Sequence, residues 1–275
     1  MRSTRLIQFK VDKGRVLVPV GEPCPFGCRY CYTRTGEVGP ARAEPVGILQ
    51  KLQEFARTHV FEYIQFGYDG EPFARPERGL MMLQQLAMLG KQISFSTKAL
   101  VEGETLDTLA AIQKTMRISQ TTLVGLVSLS CWHSASSIEP HTPTPNERII
   151  TLANLKRVGI PTFIAIRPIL PHLPHNEYEH IIGEALRAGC DGFILGPLYS
   201  DDNGRFVRFI PDEILKAVPY QKVVVPWSAH APVWRRYEDE HILQRIADAV
   251  EEKGGRVFQS SVDALRFVSE KGVVV

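Results

Sequence analysis

The chain has 275 residues, 44% hydrophobic and 23% charged, an ordinary globular composition with room for one barrel-like α/β domain and an extension. A net charge of +2 and a pI of 8.3 fall far short of the basic footprint of a dedicated nucleic-acid binder. No run approaches the ~20 apolar residues that cross a bilayer, and residues 1–10 lack a leader's apolar core and cleavage site, so neither membrane insertion nor secretion is expected.

Residues 1–15 read as an N-terminal extension. A first strand over 16–20 delivers the chain into Cys24-Pro25-Phe26-Gly27-Cys28-Arg29-Tyr30-Cys31-Tyr32. This loop holds three of the five cysteines in a C-x₃-C-x₂-C set. An odd number of thiols so tightly spaced cannot close into disulfides, but it suits metal. A four-iron cluster on three thiolates leaves one iron free for another ligand. Structural zinc wants a fourth ligand nearby and normally a second paired knuckle, and none follows. Cluster-type cysteines also imply a reducing, cytoplasmic setting.

A helix over 44–58 puts Val46, Leu49, Leu52, Phe55 and Ala56 on one face. Strand two, 61–66, ends in Gly67-Tyr68-Asp69-Gly70-Glu71-Pro72. A helix over 77–89 stops at Gly90, and strand three, 92–96, runs into Thr97-Lys98. After a helix over 104–114, strand four, 123–130, ends at Cys131-Trp132-His133. The next helix starts by two rules at once: Thr144 and Glu147 fit a capping box, and Pro145 takes the first helical position. It runs to Val158. Strand five, 161–166, leads into a proline-rich turn over 167–174, and a helix over 177–187 precedes strand six, 192–195. This alternation predicts an α/β fold, a partial (β/α)₆ parallel barrel over 16–200 with its active loops at the strand C-termini. From 201 to 275 the pattern changes. A turn at 201–204, a short helix at 211–217, a strand at 223–225, a long helix at 238–253 and a final strand–helix unit are expected. Together they form a C-terminal α/β extension covering the barrel opening.

Cys131, Trp132 and His133 sit at the mouth of strand four, where they either touch substrate or pack under the following loop. Cys131 and Cys190 cannot ligate a second cluster unaided, and Cys190 reads as a small buried hydrophobe. His141, His172, His175 and His180 read as solvated loop histidines. Trp227-Ser228-Ala229-His230 and Trp234-Arg235-Arg236-Tyr237 mix aromatic with basic groups, which suits stacking on bases; here they are read as a cover for the open barrel end.

With Tyr30 in the aromatic position, the cysteine loop resembles the C-x₃-C-x-aromatic-C signature of the radical S-adenosylmethionine (SAM) superfamily. The resemblance implies a [4Fe–4S] cluster on Cys24, Cys28 and Cys31. Its free iron would chelate the amino and carboxylate groups of S-adenosyl-L-methionine, and its electron would release a 5′-deoxyadenosyl radical. Gly70-Glu71-Pro72 resembles the G-G-E-P motif whose backbone holds the SAM amino group, with Asp69-Gly70 replacing the double glycine. Ser94-Phe95-Ser96-Thr97-Lys98, Ser128 eleven residues ahead of Glu139-Pro140, and Arg167-Pro168-Ile169-Leu170-Pro171 are similar to the spore photoproduct lyase branch, over about residues 16–175. That similarity implies that Lys98 and Ser128 contact SAM and that Tyr30 and Tyr32 line the radical path.

Two departures matter. The lyase's hydrogen-donating cysteine has no counterpart in residues 66–69, which leaves Tyr68 as a substitute donor. Arg167 replaces an alanine-type position, where it either clamps a phosphate or carboxylate or pairs with Glu139. The expectation is a cytoplasmic radical SAM enzyme with Tyr32, Tyr68, Cys131 and Arg167 around its reacting centre. It would abstract hydrogen from a small, anionic or nucleoside-like substrate and take electrons from a donor such as flavodoxin or ferredoxin. A repair lyase acting on a DNA or nucleotide lesion is the alternative inside the family. A non-catalytic iron–sulfur carrier or sensor is the alternative outside it.

Overall fold

The structure is a computed structural model describing residues 9–34, 44–225 and 233–270; the aromatic–basic run at 227–230 lies outside these. β1 (Val11–Asp12) and β2 (Arg15–Val18) form a hairpin. Beyond the cysteine loop and a 3₁₀ turn at Tyr32–Arg34 come α1 (Pro45–Thr58), β3 (Tyr63–Phe66), α2 (Pro76–Ala87), β4 (Gln92–Thr97), α3 (Gly103–Ile118) and β5 (Leu123–Ser128). Then follow α4 (Ala135–Ile138), α5 (Pro145–Arg157), β6 (Thr162–Ile166), α6 (His175–Arg187) and β7 (Phe193–Leu195). The capping box on α5 forms as its residues dictate: Thr144 Oγ1 accepts from Glu147 N at 3.3 Å, and Glu147 Oε2 accepts from Thr144 N at 2.6 Å.

The last quarter supplies β8 (Leu198–Asp201), α7 (Asp212–Ala217), β9 (Tyr220–Val223), β10 (Trp234–Tyr237), α8 (Glu240–Glu252), β11 (Val257–Phe258) and α9 (Ser261–Glu270). The six expected strands are present and adjacent in one sheet of order β1-β2-β3-β4-β5-β6-β7-β11. β2 through β11 run parallel, and only β1 is antiparallel. The parallel sheet curls into a half-barrel, the partial-barrel fold expected.

Period-two alternation along the strands separates two faces. Val16, Val18, Ile64, Phe66, Ile93, Phe95, Ile164 and Ile166 join the outer core formed with α1, α2, α3, α5, α6 and α8. Tyr63, Val124, Leu126, Phe163 and Ile194 face inward and bury Val262, Ala264 and Leu265 of α9. The stretch beyond residue 200 therefore divides. β11 adds a seventh parallel strand beside β7, and α9 fills the inner face. A separate three-stranded sheet, β8-β10-β9, packs Leu198 and Tyr237 against Cys28, Tyr30 and Leu170. The expected strand at 223–225 lies earlier, in β9, and Trp234-Arg235-Arg236-Tyr237 is the central strand of this small sheet. Among the described residues no helix is long and apolar enough to cross a membrane.

Candidate active site

The cysteine loop leaves β2 and turns at Gly27, whose φ of +65° favours glycine and which packs close to the His141 ring (3.2 Å from a Cβ placed there). Arg29 N donates to Ile138 O at 2.9 Å and Cys31 N to Cys28 O at 3.1 Å, which tie the loop down. Cys24, Cys28 and Cys31, none of them in a disulfide, line the wall of one cavity at the strand C-termini. Burial pushes the thiols of Cys24 and Cys28 up to about 12. Among the described residues no group of three could share a single metal ion. In a four-iron cluster each cysteine binds a different iron, so its sulfurs stand further apart than zinc ligands do. Three cysteines outside any disulfide around one cavity fit such a cluster.

Behind the loop lies a buried charge network. The Tyr30 hydroxyl donates to Glu139 Oε1. Lys98 Nζ donates to the same oxygen at 2.9 Å and to Ser128 Oγ at 2.8 Å. Arg148, fully buried, approaches Glu139 Oε2 at 2.6 Å and donates to the carbonyls of Pro143 and Ser128. Burial alone would raise the Glu139 carboxyl, but Lys98 and Arg148 outweigh it and hold the group at about 2. Two cations face one anion, so one positive charge remains beside the cysteines. Lys98 has a third donor for an incoming carboxylate. Glu139 is therefore taken, and the expected alternative of an Arg167–Glu139 pair is corrected. Glu139 and Arg148 were not among the expected site residues. The Glu139-Pro140 pair hinted at the first, whereas Arg148 reads as a helix-surface arginine.

The loop after β3 forms the next wall. Glu71 accepts from Thr97 Oγ1 (2.6 Å), Lys98 N (2.8 Å) and Phe73 N (3.1 Å), so its carboxylate braces the loop to β4. Gly70 packs on Val20 and on the Glu22 carbonyl, 3.1 and 3.3 Å from where a Cβ would stand. Its backbone thereby reaches the cavity. Asp69 Oδ1 accepts from Val20 N at 3.0 Å, while Oδ2 is buried without a partner. Burial raises this carboxyl to about 7. Tyr68 lines the cavity, and its carbonyl accepts from the Tyr32 hydroxyl at 2.7 Å. Tyr32 lies edge-on to Trp234 of β10, with ring centroids 5.9 Å apart, so the small sheet fixes it. Burial raises both phenols, Tyr32 and Tyr68.

Arg167, directly after β6, also lines the cavity, with no hydrogen bond or ion pair among the described residues. Cys131 does not reach the cavity. It is fully buried in the apolar cluster of Cys28, Tyr30 and Leu170, because the loop after β5 is pulled back. Glu177 Oε1 and Oε2 accept from the backbone N–H groups of Trp132, His133 and Ser134. Trp132 and His133 instead meet His180, with centroids 4.5 and 5.3 Å away. His175 and His180 were read as loop histidines but lie on α6, which begins directly after Pro174. They face Glu179 and Glu184 at 3.6 and 3.7 Å.

A half-barrel of parallel strands with three cysteines outside any disulfide and a half-buried lysine at its C-terminal rim defines an α/β cofactor-binding protein of a distinct kind. The sequence model of the Radical SAM superfamily matches residues 18–185, and the chain belongs to that superfamily. Among solved structures it is similar to a cysteine-to-serine mutant of spore photoproduct lyase, with a TM-score of 0.68 and 15% identity over 92% of this chain and 79% of that one. A second is spore photoproduct lyase complexed with a dinucleoside spore photoproduct, with a TM-score of 0.67 and 16% identity over 93% and 79%. A third is SuiB of Streptococcus suis bound to S-adenosylmethionine, with a TM-score of 0.57 and 13% identity over 88% and 48%. An uncharacterised protein of Mycobacterium tuberculosis is 23% identical over 189 residues, 62% of this chain and 54% of that relative. The chain thus spans about half the length of the curated relatives it matches.

Proposed function

We propose that the protein is a radical SAM enzyme acting on a small anionic substrate, nucleoside-like in its dimensions, in a reducing cytoplasm. Cys24, Cys28 and Cys31 would hold the [4Fe–4S] cluster. When bound, that group supplies an electron that cleaves SAM and so provides the radical that abstracts hydrogen. The chain's own residues do the rest. The backbone around Gly70 takes the SAM amino group, and Lys98, steadied by Glu139 and Ser128, takes its carboxylate. Tyr30 links the cysteine loop to that same network, and the small sheet over Tyr32 and Tyr68 keeps water from the reacting centre. An external donor such as flavodoxin or ferredoxin would deliver the electron.

The observation that carries the substrate reading is Arg167, a half-buried guanidinium on the cavity wall with no counterion among the described residues, two strands along from Lys98. A cation on a cavity wall without a carboxylate beside it suits an anionic ligand. One structural neighbour is complexed with a dinucleoside spore photoproduct, which keeps a nucleotide lesion as the second reading. Residues 66–69 lack the cysteine that such repair employs, and Tyr68 stands there instead. The test is twofold. Reduced protein with SAM should release 5′-deoxyadenosine slowly, and DNA should bind weakly at physiological salt. Tight, steeply salt-dependent DNA binding would restore the lesion reading.

A further inference from the structure

The β6–β7 side of the cavity carries more positive charge than one guanidinium. The Arg167 side chain runs over Gly196, where any Cβ would stand 2.8 Å from Arg167 Cγ. Only glycine at 196 leaves that course open. Arg15, which lines the same cavity from β2, gives Nη1 to Gln65 and Ser261 and Nη2 to Asp12, while its Nε is buried with no partner among the described residues. Arg236 is the cross-strand register partner of the cavity-lining Tyr199, so the two side chains share a face. Arg236 gives Nη2 to Glu238, and its Nε is likewise buried and unpartnered. Burial lowers the Arg167 pKa, and repulsion from Arg15 and Arg236 lowers it further. Three guanidiniums thus meet two carboxylates, Asp12 and Glu238.

We infer that this wall is a phosphoryl subsite: Arg167, backed by Arg15, Arg236 and Tyr199, takes the phosphate-ester group of the substrate. The inference rests on the reading of the cavity as a substrate site and names the anion. One guanidinium fork matches a carboxylate, which has two oxygens and one charge. Here one guanidinium lines the cavity after β6 and a second lines it from β2, with a third beside Tyr199 on the small sheet. A phosphoryl group offers three acceptor oxygens and nearly two charges, and so answers donors from several sides.

The test uses the full reconstituted chain and three probes: inorganic phosphate, acetate and SAM. Phosphate should bind saturably at one site. Arg167→Gln should weaken phosphate about tenfold or more, and Arg167→Lys should recover part of the loss. Arg75→Gln, at an exposed site paired with Glu22, should change nothing. SAM affinity should be the same in Arg167→Gln as in the parent, which also reports an intact fold. Phosphate binding indifferent to Arg167→Gln overturns the inference. Arg167-dependent acetate binding without phosphate binding overturns the phosphoryl assignment and leaves the anionic-substrate reading standing. Failure of both anions overturns both. A parallel loss of SAM affinity would assign Arg167 to the cofactor and overturn the subsite.

Discussion

Two arginines on one half-barrel, one fully buried and one half-buried on the cavity wall, live under opposite conditions. Arg148, behind β5, faces Glu139 at 2.6 Å and gives its remaining donors to the Pro143 and Ser128 carbonyls and the Thr142 hydroxyl. Arg167, after β6, meets no carboxylate among the described residues. The first region is complete in the isolated chain, and its surplus charge is mobile in one sense only, through the third donor of Lys98. The second is incomplete until something anionic arrives. A completed network holds a cysteine loop in place, and an incomplete one marks where a ligand belongs. Stability and affinity should therefore respond with opposite signs in the two regions.

The largest effect is expected on the completed side. Glu139→Gln leaves Arg148 buried without a counterion and should cost roughly 3–5 kcal/mol, read as a shift in the denaturation midpoint. Because the Glu139 carboxyl is held at about 2, below its unfolded value, its contribution is present above pH ~4.3 and is lost as pH falls through the folded value. On the incomplete side, Arg167→Met should leave the apo protein as stable as the parent or more so, whereas Arg148→Met should destabilise it. Equal losses from the two would erase the contrast.

Asp69 comes next. Burial raises its carboxyl to about 7, so the folded state holds a proton that the unfolded state releases. Stability from this group is present at low pH and declines between about pH 4 and pH 7. Asp69→Asn should flatten that decline and stabilise the protein at pH 8 by about 2–4 kcal/mol, measured by thermal unfolding across pH. An unchanged pH profile would mean that Asp69 is ionised in the fold. Lys98→Ala should weaken SAM by about tenfold to a hundredfold, the equivalent of roughly 1.5–3 kcal/mol, with the iron content retained. Titration of the reconstituted protein measures it. Thr144→Ala, at the α5 cap and outside the cavity lining, should cost about 1 kcal/mol of stability and leave SAM binding alone.

What was legible in the sequence was local. Three cysteines within eight positions, a capping box and β-branched runs between helical patterns act over a few residues, and the structure puts them where those rules require. The charge networks were not legible, because their members meet only through the sheet. Glu139 and Arg148 read as a loop acid and a helix-surface base. The inward position of Arg15 follows from strand alternation, but its partner Ser261 comes from 246 residues away. β10 was read as a cover, since a Trp-Arg-Arg-Tyr run has no clean two-residue period. Its strand character comes from pairing with β8 and β9 on either side. Cys131 misled for the same reason: its place at a strand end suggested the cavity, while Glu177, from a distant helix, draws that loop away.

The central claim is that three cysteines on this half-barrel hold a cluster whose free iron receives SAM. Anaerobically reconstituted protein, reduced with dithionite, should show a cluster resonance spectrum that shifts when SAM is added. Alanine at Cys24, Cys28 or Cys31 should abolish the spectrum, and alanine at Cys131 and Cys190 should leave it intact. Stoichiometric zinc in place of iron, or a cluster spectrum indifferent to SAM, would contradict the account.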